Sequence, residues 1–179
     1  KNMLQGNQRG IDGTHRLLDN LLHWSLNQSE MLFVQKERLP LRVMVEQVHF
    51  NIQQILTREG ITFENSIPPE AVVVADINML KVVVSNLLDN AIKFSNTGGT
   101  IRFQSEASPK GYTSFSIHDT GIGISSLQAR TLFEMPKQKQ AGADTSGAKS
   151  TGLGLHLCKE LMAQNDGSIR WDSSHSNGA

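Results

Sequence analysis

The apolar residues of this chain change period as they are followed along it, and that change constrains the fold more than any other feature. Leu41, Met44, Val45, Val48, Ile52, Ile55 and Leu56 recur at three- and four-residue steps, which predicts an amphipathic helix. Pro40 stops a helix from running into it, and Gly60 is a suitable terminator. Ile61, Phe63, Asn65 and Ile67 then alternate as on a strand, which Pro68-Pro69 ends. Val72–Ala75 reads as a buried strand and Asp76 as the cap of a second helix, with Leu80, Val83, Val84, Leu87, Leu88 and Ala91 as its apolar positions. Strands are expected near Thr100–Ser105 and Tyr112–His118, and a short helix over Ser126–Phe133. A last helix after Gly152 turns Leu153, Leu157, Leu161 and Met162 inward. Asn165-Asp166-Gly167 ends it, and a strand over Ser168–Asp172 follows.

Before all of these, Ile11, Thr14, Leu17, Leu18, Leu21, Leu22 and Ser25 form a helical stripe that needs another helix or chain to cover it. Phe33 to Pro40 reads as extended. The whole order predicts an α+β fold: a two-layer α/β sandwich with a mixed sheet, helices on one face, preceded by an N-terminal helix.

Several function classes fall away on composition. Lysine plus arginine equal aspartate plus glutamate at 17 each, so no basic excess points to a nucleic acid. The single cysteine, Cys158, forbids an intrachain disulfide and a cysteine-rich zinc site. The longest apolar run, Ala71–Ala75, is far short of the ~20 residues of a membrane helix. No secretory signal pattern opens the sequence, which predicts a cytoplasmic segment.

Three features could carry chemistry. On a helix, Asn86, Asn90 and Lys93 fall on one face at steps of four and three. Amide oxygens and an ammonium can hold a hard cation and the phosphates around it; a solvated polar face has the same spacing. Asp119-Thr120-Gly121-Ile122-Gly123-Ile124 follows a strand. An ionised Asp119 is an acceptor suited to an exocyclic amine, with Gly121 and Gly123 admitting close backbone approach; an ordinary Asp-Thr-Gly turn also fits. Thr151-Gly152-Leu153-Gly154-Leu155 opens a helix whose N–H groups can cradle an anion. Between the last two features, Glu134–Thr151 is polar and aperiodic, as in a lid or binding loop.

Other patterns fail. Gly142–Ser150 comes within one residue of a P-loop, but Ala148 is extra and no strand leads in. The dinucleotide pattern breaks at Ser126 after Gly121 and Gly123, and at Leu157 after Gly152 and Gly154. The six histidines show no metal-ligand spacing.

Taken together and in order, the three features resemble the catalytic ATP-binding domain of sensor histidine kinases, in the superfamily that includes gyrase-type topoisomerases and heat-shock chaperones. Asn86–Phe94 is similar to the N box, Asp119–Ile124 to the first G box, Leu132-Phe133-Glu134 to the F box and Thr151–Leu155 to the second G box. The resemblance implies ATP and Mg2+ held under a mobile lid. It implies Asn90 as magnesium ligand, Asn86 as its companion facing the phosphates, Lys93 as a phosphate contact and Asp119 as adenine acceptor supported by Gly121 and Gly123. Gly152, Leu153 and Gly154 would lie at the phosphates. Hydrolysing branches carry a glutamate where this chain has Asn86, and an amide cannot take a proton from water, which implies transfer to a histidine. Ser150 stands where many relatives have a further glycine.

Residues 1–32 resemble the second helix of the family's dimerisation and phosphoacceptor hairpin, and 33–179 the catalytic domain with its last edge strand apparently missing. The acceptor motif H-E-[IL]-[KR]-x-P does not occur: His15 is followed by Arg16-Leu17 and His23 by Trp24-Ser25. The resemblance therefore implies a histidine kinase core acting on an acceptor elsewhere, a response-regulator receiver domain as partner, a homodimeric parent and an inner-membrane location for that parent. A non-catalytic, nucleotide-gated signalling module is the alternative. A plain ATPase is disfavoured by Asn86.

Overall fold

Strand β1 (Glu37–Pro40) runs directly into helix α1 (Leu41–Glu59), with Pro40 in an extended conformation at the helix N-cap. The computed structural model describes residues 34–108, 111–135 and 153–172. The expected helix within residues 1–32, the lid beyond Met135, and Gly152 lie outside the described residues. Helix α1 ends as its sequence predicts: Gly60 takes a left-handed φ of 68°, and its N–H turns back to the last carbonyls.

Strands β2 (Thr62–Asn65) and β3 (Val72–Ala75) lead to helix α2 (Ile77–Phe94). Asp76 caps α2 by accepting from the N–H groups of Asn78 and Met79. The hairpin β4 (Thr100–Ala107) and β5 (Thr113–Asp119) follows, then a single turn of helix, α3 (Ser126–Ala129), and finally α4 (Leu153–Gln164).

The mixed sheet is present as β2-β4-β5, with β2 parallel and β5 antiparallel to β4. Strand β3 does not join it but pairs antiparallel with β1, Leu39 opposite Val73. The hydroxyl of Thr113 donates to the carbonyl of Val72 at 2.9 Å, linking β5 to that pair.

Two further expectations are corrected. The helix expected over Ser126–Phe133 stops at Ala129 and continues as turns. It buries no residue and is held at its start by a capping box between Ser125 and Gln128, so nothing sustains a second turn. Ser168–Asp172 is not a strand. Ile169 and Trp171 are half-buried while Ser168, Arg170 and Asp172 are exposed, so the period of two is real. No ladder of backbone hydrogen bonds forms along it among the described residues.

Helix α2 is the keel of the domain. Leu80, Val84, Leu88 and Ala91 enter the main core with Leu41, Val45, Ile67, Ile101 and Phe103. Met79 and Val83 face the other way, into a second cluster with Leu157, Cys158 and Leu161 of α4. Leu88 and Phe103 are fully buried, and truncating either to alanine costs about 2–5 kcal/mol.

Candidate functional site

Helix α4 runs antiparallel to α2. Asn165, just past its end, reaches Met79, the Cys158 thiol points at the Val83 carbonyl, and Gly154 in its first turn meets Asn86. Met79, Val83, Asn86, Asn90 and Lys93 form one helical stripe of α2. The stripe is apolar where α4 covers it and turns to amides where α4 begins. The side chain of Asn86 stands beside the first turn of α4 and Asn90 lies one turn further along the same stripe, both half-buried.

The orientation of Asn86 is set. Its Nδ2 donates to the Val82 carbonyl at 3.0 Å, and a Cβ built on Gly154 would stand 2.8 Å from its Oδ1. The oxygen is thus the end of the amide presented to α4. A side chain at residue 154 would therefore have to displace the Asn86 amide, although its backbone lies in ordinary helix.

Asp119 ends β5 and is only 8% exposed. Its Oδ1 accepts the Gly121 N–H at 2.8 Å, closing the turn that follows. The Ile122 N–H donates to the Phe94 carbonyl at 3.2 Å, which clamps this loop onto the last turn of α2. A Cβ on Gly121 would fall 2.2 Å from that same carbonyl oxygen, and Gly123 has a φ of 72°. Both glycines therefore have a reason in the fold itself, in keeping with the ordinary Asp-Thr-Gly turn that the sequence allows beside close approach to a ligand.

Lys93 stands apart from the two asparagines in exposure. It is exposed, with Nζ 5.1 Å above the ring of Phe94. Phe133 of the candidate F box is half-buried, and its carbonyl lies 3.3 Å from His156 Nδ1. A carbonyl can only accept, so that nitrogen carries the proton. The link ties the segment after α3 to the first turn of α4. Neither it nor the Val82 carbonyl that orients Asn86 was found from sequence, although the i−4 step from Asn86 to Val82 is a readable signal.

The structure thus brings Asn86, Asn90, Gly154 and the Asp119–Gly123 loop around the C-terminal half of α2, with Leu153 at the start of α4. The donor set suits a hard cation: amide oxygens and no thiolate, with no cluster of three His, Cys, Asp or Glu among the described residues. Cys158 is inert, because burial pushes its thiol up to about 12. A separate groove of about 570 Å³ between α1 and α2, lined by Val43, Phe50 and Lys81 among others, holds none of these residues.

An α/β sandwich in which the amide-bearing helix α2 lies beside the start of α4 frames the candidate site. A family profile described as histidine kinase-, DNA gyrase B-, and HSP90-like ATPase matches residues 75–179, and the chain belongs to that family. It is similar to the sensor histidine kinase RcsC of Escherichia coli (strain K12), 30% identical over 166 residues, covering 92% of this chain and 17% of RcsC. Its fold is similar to full-length ShkA solved in complex with AMPPNP (TM-score 0.76, 22% identity, 95% of this chain and 35% of that one). It is likewise similar to the histidine kinase ThkA solved in complex with the response regulator protein TrrA (TM-score 0.71, 21% identity, 94% and 46%). The chain spans less than a fifth of the length of RcsC.

Proposed function

We propose that this chain is the ATP-binding catalytic part of a sensor histidine kinase, passing the γ-phosphate of Mg-ATP to a histidine on a dimerisation helix. The observation that carries the reading is the stripe of α2 that changes from Met79 and Val83 to Asn86 and Asn90 where Gly154 stands in the first turn of α4. A polar helix face merely solvated needs neither a glycine opposite its amide nor an amide locked to its own helix.

In this reading Asn90, with Asn86 beside it, holds magnesium by amide oxygens, and bound magnesium neutralises phosphate charge. Lys93 swings from above Phe94 to a phosphate. Gly152, Leu153 and Gly154 offer backbone N–H groups to the phosphates at the positive end of α4. Asp119 accepts the adenine amine, on a carboxylate already fixed by the Gly121 N–H. Asn86 supplies no base for water, so the bound nucleotide waits for an acceptor. His156 is engaged with Phe133 and is not that acceptor. The fold likeness to ShkA with AMPPNP and to ThkA with TrrA supports nucleotide as ligand and a response-regulator receiver domain as partner. A homodimeric, membrane-anchored parent belongs to the same proposal. Among the described residues no helix is long and apolar enough to cross a membrane.

Calorimetric titration with an ATP analogue tests the site. Magnesium is expected to strengthen binding to the wild type and to have little effect on Asn90→Ala. Equal magnesium dependence in both refutes the assignment of Asn90.

A further inference from the structure

The end of α4 remote from the candidate site is held by a polar bridge to the start of α2. The Asp76 N–H donates to Asn165 Oδ1 at 2.7 Å, and Asn165 Nδ2 donates to the Leu161 carbonyl at 2.8 Å and lies 3.4 Å from Met79 Sδ. One side chain thus bridges the cap of α2 and the last turn of α4. The helix closes there with the Asp166 N–H on the Ala163 carbonyl and the Gly167 N–H on that of Met162, Asp166 taking a left-handed φ of 57°. The incoming chain reaches the same corner. The Gln35 N–H donates to Asp76 Oδ2 at 3.1 Å, and Lys36 pairs with Asp166.

Helices are stiff along their axes. From Asn165 back to Gly154 is about 16 Å of helix, and from Asp76 to Asn86 about 15 Å. A slip of α4 at the Asn165 corner is therefore delivered almost undiminished to Gly154. The clearance there is small, since even a methyl group on Gly154 would sit 2.8 Å from Asn86 Oδ1. Between the two ends α4 packs on α2 through the apolar side chains of Met79, Val83, Leu157 and Leu161 and the long Cys158 thiol approach of 3.8 Å to the Val83 carbonyl, contacts that fix an axial position less sharply than a polar bridge does.

We propose that Asn165 is a positioning residue: it sets the register of α4 against α2, and through that register the placement of Gly154 and the start of α4 against Asn86. The inference deepens the nucleotide-binding reading and rests on it for its functional consequence. Through Gln35 and Lys36 the same corner ties that register to the chain that precedes the domain.

The test uses the whole chain and two readouts. In Asn165→Ala, the amide resonance of Gly154, read by ¹H–¹⁵N spectroscopy without nucleotide, should shift, and magnesium-dependent affinity for an ATP analogue should fall by about tenfold. Asn165→Asp keeps an acceptor for the Asp76 N–H but loses both Nδ2 contacts, and should move both readouts in the same direction. Val48→Ala weakens the main core away from α4 and should lower stability while leaving Gly154 and the affinity unchanged. A Gly154 resonance unmoved in both Asn165 variants overturns the positioning role, as does an affinity loss matched by Val48→Ala. A wild type without magnesium-dependent nucleotide binding overturns the nucleotide reading instead, and the Gly154 resonance still decides the register.

Discussion

Replacing Gly154 with alanine separates stability from ligand binding, because the structure makes the two respond differently. The new Cβ would lie 2.8 Å from Asn86 Oδ1, and ordinary carbon contacts begin near 3.5 Å, so the oxygen must retreat by about 0.5 Å or more. Turning the amide achieves this and draws Nδ2 away from the Val82 carbonyl it holds at 3.0 Å. Losing that hydrogen bond costs about 0.5–1.5 kcal/mol. Alanine in place of glycine in a helix returns about 0.5–1 kcal/mol, and less in the first turn where residue 154 sits. The two nearly cancel, so the net change in stability should lie within about 1 kcal/mol, or about 4 °C in Tm for a domain of this size. Binding has no such compensation. In the proposed reading the displaced oxygen is one of the two amide oxygens offered to the cation, and the methyl group narrows the start of α4. Affinity for a magnesium-ATP analogue should fall about tenfold, equivalent to ~1.4 kcal/mol. Thermal denaturation and calorimetric titration on the same preparation give both numbers. An alanine variant that binds as tightly as wild type would refute the argument that Gly154 exists to make room for Asn86.

Other substitutions act on the scaffold around the site. Gly121→Ala places a Cβ 2.2 Å from the Phe94 carbonyl, which is backbone and cannot step aside, so urea denaturation should show a loss of about 2–3 kcal/mol. Asp76→Ala removes the acceptor for three N–H groups, those of Gln35, Asn78 and Met79, and should cost about 2 kcal/mol by the same measurement. The Cys158 thiol is raised by burial from 9.0 to about 12, so the unfolded chain loses its proton first as pH rises. This group's contribution to stability should be whole below pH 9 and decline between 9 and about 12, and Cys158→Ala should flatten that part of a stability-against-pH curve. At pH 8 a thiol reagent should modify Cys158 only at the rate of unfolding.

The parts of the fold legible in sequence are those whose signal is local and periodic. Helix α2 announces both its apolar positions and its asparagines at helical steps, and Gly60 and Asp76 act as terminator and cap as expected. Asp119 at a strand end is equally local. What the sequence hides is set by distant partners. That β3 pairs with β1 rather than with the mixed sheet depends on how the chain folds back through α1. The alternation over Ser168–Asp172 reports which side chains turn inward, yet a strand needs a neighbour to bond to. The bridge from Asp76 to Asn165 joins residues 89 apart, and its asparagine reads in sequence as the first residue of a turn. Lys93 shares a helical face with Asn86 and Asn90, but its long side chain lies over Phe94, a choice among rotamers that spacing does not fix.

The central claim is that the site hands phosphate to a histidine supplied by another segment. Magnesium and γ-labelled ATP, incubated with this chain and a separate domain carrying an acceptor helix of the family, test it most directly. The account predicts acid-labile label on the added domain, little on this chain alone, and loss of the transfer in Asn90→Ala. An acceptor that stays unlabelled while this chain binds magnesium-ATP, or steady release of phosphate to water with no acceptor present, would contradict it.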